Sequence, residues 1–196
     1  MYFFTSDEHL GHRNIIRYCS RPFTTIEEMD AEIIKRHNAV VSSKDTVIHV
    51  GDFTLSKNAR PYIEQLKGTH IFLRGSHDRW LRNASEIREV EIEGQVIIAC
   101  HYAMRIWPKS HYGSWQVFGH SHGHLPPLGK QHDVGVDCND FTPVSFEQLK
   151  EIMATREENP NLLPELRKVK IDPCDHALWC DMGYQHCPTC GQKLTG

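Results

Sequence analysis

Long apolar runs are missing from this sequence: across 196 residues none approaches the ~20 that a membrane-spanning helix needs. Charge of one sign is missing too, with 22 basic against 25 acidic side chains and a net charge of −3. A chain that held nucleic acid by overall charge would carry a basic excess able to neutralise several phosphates at once, so any such contact here is local. The opening MYFFTSDEHL has neither the basic segment nor the long apolar stretch of an export signal, and a cytoplasmic chain is expected. Internal repeats and low-complexity tracts are absent as well. At 39% hydrophobic and 24% charged, the composition is that of an ordinary globular chain with room for one domain and a small appendage.

What is abundant is histidine, with 14 residues, and cysteine, with 7. Histidine is the commonest metal ligand and a frequent proton carrier. Cys174, Cys180, Cys187 and Cys190 crowd the C-terminal end, and clustering without an export signal favours metal binding over disulfides. Cys19, Cys100 and Cys138 stand alone and are expected to be small buried residues.

Short apolar runs at Tyr2–Phe4, Thr46–Val50, Ile71–Leu73 and Trp115–Phe118 predict strands, each stopping at a polar loop. Arg88–Ile92 and Gln95–Cys100 flank Glu93-Gly94 and predict a tight hairpin, and Val134–Val136 predicts one more strand. Thr25 with Glu28 caps a helix from Ile26 to Val41, Ser145 with Gln148 caps another, and Ala59–Leu66 is a third. From Arg156 to Asp172 the chain turns charged and is punctuated by Pro160 and Pro164, which predicts a linker.

Strand after strand ends in the same kind of chemistry: Asp7-x-His9, Gly51-Asp52, His77-Asp78, His101 and His120-x-His122. Strand C-termini of an α/β sheet gather at one edge, where ligand sites are built. The i, i+2 spacing puts Asp7 with His9, and His120 with His122, on one side of an extended segment, so each pair can bite one ion. Carboxylates with imidazoles suit divalent Mn, Fe, Zn, Co or Ni, and a shared carboxylate, for which Asp52 is placed, is how a two-metal centre is held.

The ordered set D-x-H, G-D, G-N-H-[DE], H and G-H-x-H is the signature of calcineurin-like metallophosphoesterases, and the sequence resembles that family over about residues 1–150. Thr5-Ser6-Asp7-Glu8-His9-Leu10-Gly11-His12 looks like its small bacterial and phage-encoded members. The resemblance implies a four-layer α/β/β/α sandwich and a binuclear hydrolase of phosphodiesters or phosphomonoesters, with nucleotide-like substrates. It implies that Asp7, His9 and His122 hold one metal, that Asp52 bridges, and that residue 76, His101 and His120 hold the second, with Mn the leading candidate. Metal-held hydroxide would attack phosphorus while His77 assists the leaving oxygen, and Asp78 would orient His77 or its loop.

Ser76 stands where the family has Asn, and a Ser hydroxyl is the poorer oxygen donor, so the second metal site is expected to be the weaker one. That substitution also suggests an alternative, a weakened phosphoesterase fold used as a nucleotide or nucleic-acid binding module. His12, Asn14 and Arg105 are candidate substrate contacts, the last within the aromatic and cationic stretch 102–115, which could stack a base. His49 is expected to pack or to support the centre. His120-Ser121-His122 also fits the start of the metallo-β-lactamase motif H-x-H-x-D-H, but His124 and Leu125 break its continuation.

Cys187-Pro188-Thr189-Cys190-Gly191 is a zinc knuckle, and with Cys174 and either Cys180 or His176 it would complete a tetrahedral structural zinc site. The spacing resembles a zinc ribbon. The expected organisation is therefore a phosphoesterase domain over 1–155, a linker over 156–172 and a zinc-ribbon-like module over 173–196, which could touch nucleic acid. No membrane partner is expected, and the oligomeric state does not follow from the sequence.

Overall fold

The structure, a computed structural model, describes residues 1–161, 176, 180, 183–188 and 190–194. The chain divides into two compact units, Met1–Leu162 and Leu163–Gly196. Cys174 lies outside the described residues, as does most of the stretch from 162 to 182.

In the first unit β1 (Tyr2–Thr5), β2 (Thr46–His49) and β3 (Thr69–Phe72) run parallel, and β8 (Val144–Ser145) closes the edge antiparallel to β1, giving the order β3-β2-β1-β8. The second sheet has the order β4-β5-β6-β7. Its antiparallel hairpin of β4 (Ile87–Ile92) and β5 (Gln95–Cys100) turns at Glu93-Gly94, both in left-handed backbone, and β6 (Trp115–Phe118) and β7 (Gln131–Asp133) follow in parallel. The two sheets share one core, where Phe4, Ile48 and Val144 meet Ile97, Ala99 and Val117. Burying each such side chain stabilises the fold by about 1.5–3 kcal/mol. Phe146, Leu149 and Met153 of α4 (Phe146–Ala154) join that core from a helix opened by the full Ser145–Gln148 capping box.

The outer face of the first sheet is covered by α1 (Arg13–Tyr18), α2 (Ile26–Val40) and α3 (Arg60–Ile63). Thr25 accepts the Glu28 N–H at 3.1 Å to start α2, and Met29, Ile33 and His37 recur every four residues on its buried stripe. On the second sheet the outer covering is the 102–114 loop with its one 3-10 turn. Gln116 fastens it by accepting from Met104 N and donating to Tyr102 O, each at 3.0 Å, while Gln131 donates to Met104 O at 2.6 Å. Helix, sheet and sheet thus follow the order that the resemblance implies, and among the described residues a loop stands in the place of the second outer helical layer. No helix among the described residues is long and apolar enough to cross a membrane.

One expected strand is displaced. Val134–Val136 is apolar and buried, yet the pairing with β6 falls on Gln131–Asp133, and Val136–Cys138 forms a 3-10 turn. The polar strand is tolerated because Asp133 accepts from Ser121 Oγ at 2.6 Å and Gln131 is bonded to Gln116 and Met104. The helix expected over Ala59–Leu66 is regular only from Arg60 to Ile63.

Candidate metal centre

β1, β2, β3, β5 and β6 all deliver their C-terminal ends to one rim, and the loops that follow carry the predicted residues. Asp7, His9, Asp52, His120 and His122 all have positive φ, between 47° and 65°. Such backbone costs about 1–3 kcal/mol per residue and collects at functional sites. It is held here by cross-loop bonds from Asp7 N to Gly51 O at 3.1 Å, His9 N to Asp52 O at 3.0 Å and His120 N to Asp7 Oδ2 at 2.9 Å. Gly75 and Gly119 are required for a different reason: a Cβ at Gly75 would strike Asp52, and one at Gly119 would strike Ser6 and Asp7.

Two groups of donor atoms result. Asp7, His9 and His122 offer one atom each within 4.8 Å of one another, and so do Asp52, His101 and His120. Asp52 Oδ2 joins the groups, lying 3.7 Å from His9 Nε2 and 3.3 Å from His101 Nε2. Asp7 Oδ1, His9 Nε2 and His101 Nε2 are buried with no hydrogen-bond partner. Three orphaned lone pairs beside one carboxylate would each cost about 1–3 kcal/mol unless something takes them up, and a divalent cation fits that need.

The electrostatics agree. Burial works against the Asp52 carboxylate, but His101, the His77 N–H and His9 hold its pKa far below the usual range, so it stays ionised. Burial pushes Asp7 up to about 7 against the pull of His101 and His122. Burial lowers His9 to about 3, leaving a neutral imidazole able to donate its lone pair. Burial disfavours a charge on His101 as well, yet the adjacent Asp52 carboxylate and Asp7 raise its pKa overall.

A second layer of contacts aims these groups. His101 Nδ1 sits 3.0 Å from Val50 O, which turns Nε2 toward Asp52. His122 Nδ1 sits 2.7 Å from Asp137 Oδ2. Asp137 accepts Arg21 Nε and Nη2 at 2.8 Å each, while Arg21 also donates to Asp7 O at 2.6 Å and Glu8 O at 3.0 Å. Glu8 Oε1 meets His49 Nδ1 at 2.5 Å, and His49 Nε2 meets His70 Nδ1 at 3.0 Å, so the residue between Asp7 and His9 is anchored from β2 and β3. Burial raises Glu8 to about 8 and lowers His49 to about 3, which describes a protonated acid donating to a neutral imidazole. Arg21 and Asp137 carried no signal in the sequence, being single residues far apart in the chain.

The remaining predicted residues separate clearly. His77 is 46% exposed at the side chain, with Nε2 3.8 Å from Asp52 Oδ2, so it faces the open side of the centre. Asp78 is buried, and its carboxylate accepts the N–H groups of Asp52 at 2.7 Å, Phe53 at 3.0 Å and Gly75 at 2.9 Å. It therefore organises the loops around Asp52 rather than reaching outward. Ser76 donates its hydroxyl to Asp52 Oδ2 at 2.9 Å. His12 Nδ1 lies 3.4 Å from His9 Nδ1, and Asn14 is exposed on α1. Arg105 is exposed, and its carbonyl is held by Asn159 at 2.8 Å. Tyr102, which the sequence did not single out by itself, stacks edge-on to His120 at 4.8 Å and walls that half of the centre. In the second unit His176, Cys187 and Cys190 bring donor atoms within 4.8 Å of one another, and Cys180 is not among them.

The chain is 35% identical over 163 residues to the uncharacterized protein MJ1445 of Methanocaldococcus jannaschii, taking in 76% of this chain and 88% of the relative. It superposes on the structure of a protein of unknown function, AQ665 of Aquifex aeolicus, with a TM-score of 0.63 and 22% identity over 78% of this chain and 98% of that one. That likeness shows the fold. YfcE, a phosphoesterase from E. coli, aligns with a TM-score of 0.36 and 18% identity over 68% of this chain and 75% of its own. No family model matches the chain.

Proposed function

The chain belongs to the family of MJ1445 of Methanocaldococcus jannaschii, and we propose that it is a metal-dependent phosphoesterase acting on phosphodiester or phosphomonoester bonds of nucleotide-like substrates. One observation carries this reading: two three-residue donor groups meet at Asp52, with orphaned buried atoms between them and an exposed imidazole, His77, at their edge. Asp7, His9 and His122 would hold one divalent cation and Asp52, His101 and His120 the other, with Ser76 beside them. When bound, such a pair of cations supplies Lewis acidity toward phosphoryl oxygen and makes water acidic enough to attack at neutral pH.

The protein's own groups do the rest. His77 is placed to give a proton to the departing ester oxygen, because it is the imidazole that reaches solvent while still lying within 4 Å of Asp52. His12, whose pKa is lowered by burial and then by His77, lines the same opening. Tyr102 presents an exposed ring for an aromatic ester group or a base to lie against. Mn is the cation proposed first, on the mixed carboxylate and imidazole donor set.

The test is hydrolysis of bis(p-nitrophenyl) phosphate beside p-nitrophenyl phosphate, after chelator treatment and with Mn²⁺ added back. Turnover restored by the metal is the expected result, and the ratio of the two rates ranks diesters against monoesters. The Ser76 hydroxyl bonded to Asp52 favours a second reading, a fold that binds phosphate esters without cleaving them. Metal binding with tight nucleotide binding and no turnover on either ester would choose that reading instead.

A further inference from the structure

The second unit holds a cluster for which phosphoester hydrolysis has no use. Cys190 Sγ lies 3.4 Å from His176 Nε2, and the donor atoms of His176, Cys187 and Cys190 all fall within 4.8 Å of one another. Local backbone explains why the two sulfurs meet. His186 and Lys193 pair as an antiparallel bridge, Leu194 N donates to Gln185 O at 2.9 Å, and Cys187 N donates to Gln192 O at 2.8 Å. Gly191, at φ 74°, donates back to Cys187 O at 2.8 Å and tightens the turn that brings Cys190 beside Cys187. Cys187 is 2% exposed within a unit of only Leu163–Gly196, shorter than the roughly 40 residues below which a metal or disulfide is usually needed.

We propose that this unit folds around one zinc-class ion held by His176, Cys187 and Cys190, with Cys180 left as a free thiol. Closed structural sites take four N and S ligands, and three are already gathered. The sequence offers two thiols for the fourth place. Cys180 stands outside the donor group, its carbonyl capping a turn by accepting Gly183 N at 2.8 Å. Cys174, the other, lies outside the described residues. The choice of His176 over Cys180 sets an imidazole beside the thiolates of Cys187 and Cys190 rather than an all-thiolate shell around the ion.

The proposal is tested on the full chain in a Cys19→Ser background, because Cys19 lies with His122 and Asp137 and could add a thiolate signal of its own. Cobalt(II) is the probe, read by its thiolate charge-transfer absorption and displaced by zinc. Cys180→Ser is expected to keep the full band and release cobalt to one equivalent of zinc. His176→Ala, Cys187→Ser and Cys190→Ser are each expected to weaken cobalt binding at least tenfold. Loss of the band in Cys180→Ser with retention in His176→Ala would overturn the ligand set, and absence of any thiolate band would overturn the site. Should a variant fail to fold, alkylation mapping of the unsubstituted chain still decides. Cys180 is expected to react before chelation and Cys187 and Cys190 only after it; the reverse order refutes the assignment. Phosphoester turnover enters neither readout, so the two proposals stand or fall separately.

Discussion

Arg21 offers the sharpest test of how the centre is held. Its side chain is 0% exposed, pairs with Asp137 through two bonds of 2.8 Å, and donates to the carbonyls of Asp7 and Glu8. Replacing it with methionine keeps much of the buried stem but strands the Asp137 carboxylate and two carbonyls. Breaking a buried ion pair from one side costs about 3–5 kcal/mol. For a domain of this length each kcal/mol moves Tm by about 2–4 °C, so a fall of roughly 6–20 °C is expected in the metal-free protein. Function suffers beyond stability, because Asp137 orients His122 and the Asp7 carbonyl lies in the loop of the first donor group. Loss of such a supporting contact typically weakens metal binding about 10–100-fold. The assay is thermal and urea unfolding of Arg21→Met without metal, followed by calorimetric Mn²⁺ titration at a temperature where the variant is folded. Arg21→Lys, which keeps the charge but not the fork, should fall between the two. A variant within 1 kcal/mol of the parent, with unchanged metal affinity, would refute the claim that this one guanidinium secures the Asp7–His9 loop.

Other outcomes follow from the same geometry. Ser76→Asn should exchange a hydroxyl bonded to Asp52 for a longer carbonyl donor and lower the Mn²⁺ concentration for half-activation by about tenfold, or ~1.4 kcal/mol; identical metal dependence in both forms contradicts this. His77→Ala should cut kcat by about 10²–10⁴-fold while calorimetric metal binding is unchanged, and a loss of metal instead would make His77 a ligand. Glu8, with a folded pKa of about 8 against an ordinary 4.5, favours the folded state fully below pH 4.5, and that advantage drains away as pH rises toward 8. The slope is at most about 1.4 kcal/mol per pH unit. Urea unfolding of the metal-free chain between pH 5 and 7.5 should therefore weaken more steeply in the parent than in Glu8→Gln, and equal slopes would show that Glu8 does not stay protonated.

The legible part of the centre is the part written in consecutive residues. Asp7-x-His9 and His120-x-His122 announce themselves because two donors of one kind share a short segment, and parallel strands must deliver such segments to one rim. The hairpin at Glu93-Gly94 and the capped starts of α2 and α4 are equally local. Supporting contacts are not local. Arg21 and Asp137 are 116 positions apart, and neither sits in a pattern that marks it, so only the folded chain reveals that one aims the other at His122. Asp78 shows the converse: its position beside His77 suggests a partner for that imidazole, whereas its oxygens are taken by backbone N–H groups of two loops.

The displaced strand at β7 has the same origin. Apolar alternation at Val134–Val136 marks burial correctly, since both valines are at most 1% exposed, but the ladder to β6 lies just upstream of them. The residues that pair with β6 are Gln131–Asp133, polar side chains whose partners, Ser121, Gln116 and the 102–104 loop, lie elsewhere in the chain. A hydrophobic pattern finds a strand whose side chains are satisfied by the core, and it passes over one whose side chains are satisfied by hydrogen bonds. That strand ends where the chain must reach Asp137, which in turn fixes His122. Val134 N still donates to Phe118 O at 2.8 Å and Val136 N to Ser6 O at 3.0 Å, so the valine segment passes from the second sheet to the first before the Val136–Cys138 turn presents the Asp137 carboxylate to Arg21 and His122.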